Sequence, residues 1–298
     1  MYRKVLLVAL VMVSPGQAQA APLAEAVAKM IRAAVESGDP SAANTVVRLA
    51  KASNPQSVAE IDALYATLKA GADYRRRVRL RRQRFAQGWK GKGEFGATNS
   101  TGNVHSAGVS GGVSLVRDGL RWKQSFTASV DYLRHNGTEE RDRFFAGHQA
   151  NFKFDDRLYA LGLMSWEGNR AQGFRSRLIA SLGIGYSLID RPGMSLSLEA
   201  SPALRETDYL AAGNDSSFAM RVAGNYHWSV TPKLTLSEDD SFFRDGGNQT
   251  LTSESALTMK LIDALSARLS YRLQRESKPL PLATNTDATS RVSLVYTF

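Results

Sequence analysis

Between Leu178 and Leu188 every second residue is apolar or aromatic: Leu178, Ala180, Leu182, Ile184, Tyr186 and Leu188, with Ser181, Gly183, Gly185 and Ser187 in the alternate places. A period of two sets one row on each face of a β-strand. The same alternation opposes Leu265, Ala267, Leu269, Tyr271 and Leu273 to Ser266, Arg268, Ser270 and Arg272. It also runs from Phe218 to Trp228, with Arg221, Asn225 and His227 on the polar row, and through Val292, Leu294, Tyr296 and Phe298. From Trp89 onward the pattern predicts twelve strands, near 88–98, 103–117, 119–134, 140–155, 157–167, 174–190, 194–206, 215–230, 232–244, 248–262, 264–276 and 286–298. Soluble sandwiches use strands of about five or six residues, whereas a tilted strand crossing a membrane needs about 9–11. Alternation at this length predicts an all-β transmembrane barrel of about 12 antiparallel strands, with lipid-facing apolar rows and lumen-facing polar ones. Trp89, Trp122, Tyr132, Tyr159, Trp166, Tyr186, Tyr226, Trp228, Tyr271, Tyr296 and Phe298 fall at or near segment ends, as interfacial girdles require.

Before Trp89 the period is helical. Leu23, Val27, Met30, Ile31 and Val35 recur at three- and four-residue spacing, Val46, Val47 and Leu49 mark a second helix, and Ile61, Leu64, Tyr65 and Leu68 a third, with a break expected at Gly71. Residues 1–20 read as a signal peptide: basic Arg3 and Lys4, apolar Val5 to Val13, and a small-x-small close at Ala18-Gln-Ala20. The expected organisation is a leader at 1–20, a periplasmic helical extension at 21–87 and an outer-membrane barrel at 88–298 of a Gram-negative envelope. The connections after the second, fourth, sixth, eighth and tenth strands are compact, as periplasmic turns are, and the others mostly longer. Charge in the ninth strand, at Glu238, Asp239 and Asp240, breaks the alternation, so either those acids lie beyond the hydrocarbon band or the strand carries a bulge.

Composition alone points elsewhere, because 43% hydrophobic residues and a mean hydropathy of -0.27 describe a soluble protein. Strands that place only alternate residues in lipid explain the low value. The formal charge of +10 divides into +2 on residues 1–20, +6 on 21–88 and +2 on the rest. The densest run is Arg75, Arg76, Arg77, Arg79, Arg81, Arg82 and Arg84, either a solvated helix face or a surface for anionic lipid headgroups. Nucleic acid is not an expected partner, since no aromatic residues interleave with these arginines. With no cysteine and four histidines, thiolate and cysteine-metal chemistry drop out, and no metal or cofactor is expected.

Gly88-Trp89-Lys-Gly91-Lys-Gly93-Glu94-Phe-Gly96 through Thr101-Gly102-Asn103 resembles the opening signature of the YdiY-like outer-membrane β-barrel family, a domain-of-unknown-function family described as salt-induced outer-membrane proteins. Tyr186 to Asp190, Leu196 to Pro202, Thr252 to Lys260 and Val292 to Phe298 match as well, so the resemblance covers about residues 86–298. It implies an outer-membrane barrel linked to salt or osmotic stress and supplies no catalytic motif. Phe298, with Tyr296 and Leu294 on its face, resembles the terminal signal read by the barrel-insertion machinery.

The expected lumen therefore carries the chemistry. Its inward row includes Arg121, Lys123, Arg177, Arg205, Arg221, Arg268, Arg272, Arg291, Glu94, Glu199 and Glu254, together with Lys90, Lys92, Asp131, Arg143, Lys153 and Lys260. Thirteen basic against four acidic groups predict a passive, mildly anion-favouring channel for small solutes, as rings of Arg or Lys do in anion pores. The alternatives are a barrel filled by those same side chains, or an outer-membrane hydrolase. A hydrolase needs a nucleophile and base within reach. His105 beside Ser106 points the other way, His135 lies by a loop, His148 falls on the lipid face and His227 on the lumenal face near the periplasmic rim. No enzyme activity is expected.

Overall fold

The computed structural model describes residues 23–101, 106–135, 139–211, 213–278 and 285–298. The leader, His105 and parts of four connections lie outside them. The chain forms two compact units that divide between Arg76 and Arg77.

The first unit is helical. α1 (Glu25–Glu36) ends where Gly38 takes φ 75°, a left-handed value that only glycine adopts cheaply. α2 (Pro40–Ser53) starts with proline at its first position and the Asp39 carboxylate accepting the Ser41 N–H at 2.8 Å. α3 (Val58–Arg82) follows a short 3₁₀ turn. It runs through Gly71 without the expected break, the roughly 1 kcal/mol cost of a mid-helix glycine being small against the other residues of α3. Ile31, Val47, Ala50 and Ile61 form the core, with Leu23, Val27, Leu64 and Leu68 around it. Met30 and Leu49 are exposed instead of buried. The headgroup candidates Arg75, Arg76, Arg77, Arg79, Arg81 and Arg82, all on α3, and Arg84 just beyond it are exposed.

The second unit is a closed antiparallel barrel. Its strands are β1 (Trp89–Thr101), β2 (Ser106–Asp118), β3 (Trp122–His135), β4 (Glu139–Lys153), β5 (Leu158–Asn169), β6 (Phe174–Arg191), β7 (Met194–Tyr209), β8 (Gly213–Ser229), β9 (Leu234–Asp245), β10 (Asn248–Lys260), β11 (Leu265–Glu276) and β12 (Thr286–Thr297). Each pairs with its sequence neighbours, and β1 closes on β12. At that seam Gly91 and Phe298 exchange N–H···O bonds of 2.9 Å in both directions. The Phe298 ring covers Gly91, where an added Cβ would sit 2.1 Å from it. Closure leaves no unpaired edge, as a strand structure in lipid requires.

The turns after β2, β4, β6, β8 and β10 lie at the end that also carries Trp89 and Phe298, here the near end. They are built from local chemistry. The Asp155 carboxylate accepts the Arg157 and Leu158 N–H groups at 2.7 Å each, and Thr231 Oγ1 accepts those of Lys233 and Leu234. The two backbone bonds hold the Asp155 carboxyl below the usual carboxylate range. At the far end the strands run on through residues expected as loop: β4 starts at Glu139, β7 reaches Tyr209 and β8 starts at Gly213. The contrast in loop length is correspondingly weaker than the sequence suggested.

The outer surface is apolar, with Leu182 at 75%, Phe218 at 68% and Leu204 at 63% exposure. Trp122, Trp166, Tyr186, Trp228, Tyr271, Tyr296 and Phe298 share that face. Tyr159 does not belong to the girdle. It is buried inside, over Gly185. Among the described residues no helix is long and apolar enough to cross a membrane, so any crossing falls to the strands.

The barrel interior as candidate functional site

Alternation turns eight basic side chains into the barrel: Lys92, Arg143, Arg177, Arg205, Arg221, Arg268, Arg272 and Arg291. It turns nine acidic ones in beside them: Glu94, Asp131, Glu167, Glu199, Asp239, Asp245, Glu254, Glu276 and Asp287. The thirteen-to-four basic excess expected from the sequence does not survive. Glu167, Glu276 and Asp287 stand at or beside the far-end limits of the expected strands 157–167, 264–276 and 286–298, Asp245 lies just past the expected end of the ninth, and Asp239 lies in the strand whose alternation was broken. Several expected lumen residues also lie outside the interior. Arg121 is exposed in the turn before β3, which starts one residue later, at Trp122, and Lys123 is exposed at the near rim.

Most interior charges are matched at contact distance. Arg143 bonds Glu167 at 2.7 Å and reaches Asp131 at 3.5 Å, while Arg291 takes the other Asp131 oxygen. Glu254 lies between Arg268 at 3.0 Å and Arg272 at 3.9 Å. Arg205 pairs with Asp245 at 2.9 Å and lies over the Phe243 ring. Glu199 accepts from Arg221 at 3.0 Å, Gln149 at 2.8 Å and the Tyr159 hydroxyl at 3.1 Å. Glu94 accepts from the Ser293 hydroxyl. Lys92 and Asp239 are the interior charges without a hydrogen-bond or ion-pair partner among the described residues.

Three contacts cross the barrel near its far end. In a closed order of twelve strands, β5 lies opposite β11. A 3₁₀ turn at Arg170–Gln172, between β5 and β6, carries Gln172 across to Gln274 on β11 at 3.0 Å and Asp287 on β12 at 3.4 Å. Arg177 reaches Glu276 at 3.5 Å. A register shift between Phe174 and Ser176 sets this up: strict alternation would put Phe174 outside, yet it is fully buried with the Arg177 guanidinium 4.1 Å above its ring. Sequence reading missed Phe174 and Gln172, since neither a bulge nor a cross-barrel reach leaves a periodic signal, and it gave Tyr159 to the girdle although its pairing with Gly185 sets it on the inward row.

Cavities of about 480 and 320 Å³ lie in the interior, both bordered by Asp239, Glu254, Arg272 and Gln274. The larger is lined by Lys92, Arg143, Arg268, Arg291 and their acids, and by hydroxyls such as Thr98, Ser110 and Ser270. Among the described residues no group of side chains is arranged to hold a metal ion.

Polar side chains also occur on the outer face. His148 packs against Phe126 at 4.1 Å between ring centroids, on the outer face as expected. Glu238 and Asp240 also point outward. β9 pairs without a register shift on either side, so no bulge removes them, and Asp240 lies level with Gly224, midway between Phe218 and Trp228 on β8. Glu238 accepts from Ser253 at 2.8 Å. Neither expected explanation for these acids holds. His227 is exposed at the near rim, and the His135 side chain lies outside what is described.

A closed twelve-strand barrel with an apolar outer belt and a charged, hydroxyl-lined interior is an outer-membrane-type β-barrel. Comparison with known proteins makes this more particular: residues 93–298 match the family model described as "Protein of unknown function, DUF481", and the chain belongs to that family. It is 24% identical over 209 residues to the uncharacterized protein YdiY of Escherichia coli (strain K12), covering 70% of this chain and 82% of that protein. Similar solved structures include the NanC porin, with TM-score 0.49, 8% identity, and coverage of 69% of this chain and 98% of that one. The translocator domain of autotransporter NalP from Neisseria meningitidis gives TM-score 0.44 and 12% identity over 77% of this chain and 96% of that one.

Proposed function

We propose that the protein is an outer-membrane channel for small polar solutes, with its helical unit in the periplasm. The observation that carries the reading is the cavity of about 480 Å³, lined by charged and hydroxyl side chains, inside a barrel whose outer face is apolar. An even strand number puts both barrel ends on one side, and export by the expected leader makes that side periplasmic. Membrane lipids surround the belt, the exposed arginines of α3 meet anionic headgroups, and the insertion machinery reads Leu294, Tyr296 and Phe298. The link to salt or osmotic stress rests on the family resemblance alone. No catalytic step is assigned.

A second reading, a filled barrel that does not conduct, is favoured by Gln172 and Arg177 spanning the far end. Planar-bilayer recording of the refolded full chain separates the two. Discrete conductance steps above the lipid background support the channel, and their absence at several hundred millimolar salt supports the filled barrel. If Gln172→Ala raises the conductance of an otherwise nearly silent protein, the span is a constriction within a channel.

A further inference from the structure

We infer that the lumen is charge-compensated and admits small neutral and zwitterionic polar solutes in preference to net anions, with Lys92 and Asp239 setting its residual ion preference. This rests on the channel reading and names the solute class for that same interior.

In the larger cavity five basic groups face five acidic ones. A selective anion pore requires basic groups whose field is left uncancelled. Here Asp131 is shared by two arginines and Glu254 by two more, while Arg143 has Glu167 as a second partner. Pairs at contact distance behave as dipoles, whose potential falls off faster with distance than that of single charges. A lone anion entering the barrel gives up hydration and finds each guanidinium already engaged. A solute with hydroxyl, amide or paired opposite charges gives up less, since it can exchange its water for the hydroxyls of Thr98, Ser110 and Ser270 and for the outer edges of the pairs.

Lys92 and Asp239 stand apart because both line this cavity and neither has a partner at contact distance among the described residues. Their charges act on a passing ion without an opposite group at hydrogen-bond or ion-pair distance. Since the two are opposite in sign, the unmodified lumen is close to neutral, and removing either one unmasks the other.

The test is the reversal potential of the full chain in a planar bilayer under a potassium chloride gradient, with liposome swelling as a second arm. The expected chloride-to-potassium permeability ratio lies within about twofold of unity; Asp239→Asn raises it ~2–5-fold, Lys92→Gln lowers it by a similar factor, and the double variant returns it near the start. In liposomes, glucose and glycine enter faster than gluconate. A chloride preference above about fivefold in the unmodified protein, or gluconate entering fastest, overturns this inference while leaving the channel intact. Single variants without opposite shifts overturn the role of Lys92 and Asp239. If neither current nor swelling occurs with any solute, the channel reading fails and this inference falls with it.

Discussion

Replacing Arg221 by methionine removes one guanidinium and leaves the Glu199 carboxylate inside the barrel. The two side chains are 9% and 3% exposed and meet at 3.0 Å. At that separation and an effective dielectric of about 20, their attraction is roughly 5 kcal/mol. The carboxylate would keep Gln149 and Tyr159 as neutral donors, which hold part of its charge. Breaking a buried pair from one side costs about 3–5 kcal/mol, and the two remaining donors put Arg221→Met at the lower end, about 3 kcal/mol. Glu199→Gln should cost a similar amount by stranding Arg221. The double variant, with neither charge present, should recover to within about 1–2 kcal/mol of the unmodified protein. Reversible urea unfolding in lipid vesicles measures this through the emission of the four tryptophans. If each single variant costs under about 1 kcal/mol and the double variant costs their sum, the pair is screened as on a water-exposed surface. The account of a packed, low-dielectric interior would then be wrong.

Other outcomes follow from other parts of the barrel. Gly183→Ala should impair assembly more than Gly91→Ala, because the new Cβ meets the Ala200 carbonyl oxygen at 2.3 Å, whereas at Gly91 it meets only the exposed Phe298 ring; yields of heat-modifiable folded barrel compare the two. Asp240→Leu should stabilise the barrel in vesicles by on the order of 1 kcal/mol, since a carboxylate at mid-belt faces hydrocarbon, and equal or lower stability would argue against that exposure. Deleting Phe298 removes both hydrogen bonds to Gly91 at the closing seam, and slower folding into vesicles is expected. For the β4–β5 turn the lowered Asp155 pKa means that the ionised carboxylate is favoured by the fold. Its stabilisation is present above the ordinary carboxylate range and is lost as pH falls through the depressed value, so the protection of the Arg157 and Leu158 amides, taken relative to their intrinsic exchange rates, should fall on acidification in the unmodified chain but not in Asp155→Asn.

The strands were legible because their polar and apolar rows alternate over twelve or more residues, long enough for the period to outweigh individual exceptions. Phe298 stands out in the sequence as a terminal aromatic residue, but its pairing with Gly91 at the closing seam leaves no signal there. What the sequence hid depends on which strands face one another. Arg177 and Glu276 are ninety-nine positions apart, and only a closed order of twelve strands brings them together. Glu167 and Glu276 are the last residues of the expected strands 157–167 and 264–276 and Asp245 lies just past another, so none was counted in the lumen and the interior seemed more basic than it is. Phe174 was hidden by a register shift, which inverts the face a residue occupies without altering composition. In α3, Gly71 looked like a break because local propensity carries no information about the rest of the helix.

The central claim is that one row of each strand meets lipid and the other a polar interior. The chain has no cysteine, so a single cysteine can be placed at each position from 178 to 188 on β6 and carry a nitroxide label in the vesicle-inserted protein. Collision with dissolved oxygen, which concentrates in lipid, should peak at 178, 180, 182, 184, 186 and 188 and fall at the positions between. A water-soluble nickel chelate should show no access to the first set. Water access on both rows, or oxygen access without a period of two, would contradict the barrel's place in the membrane.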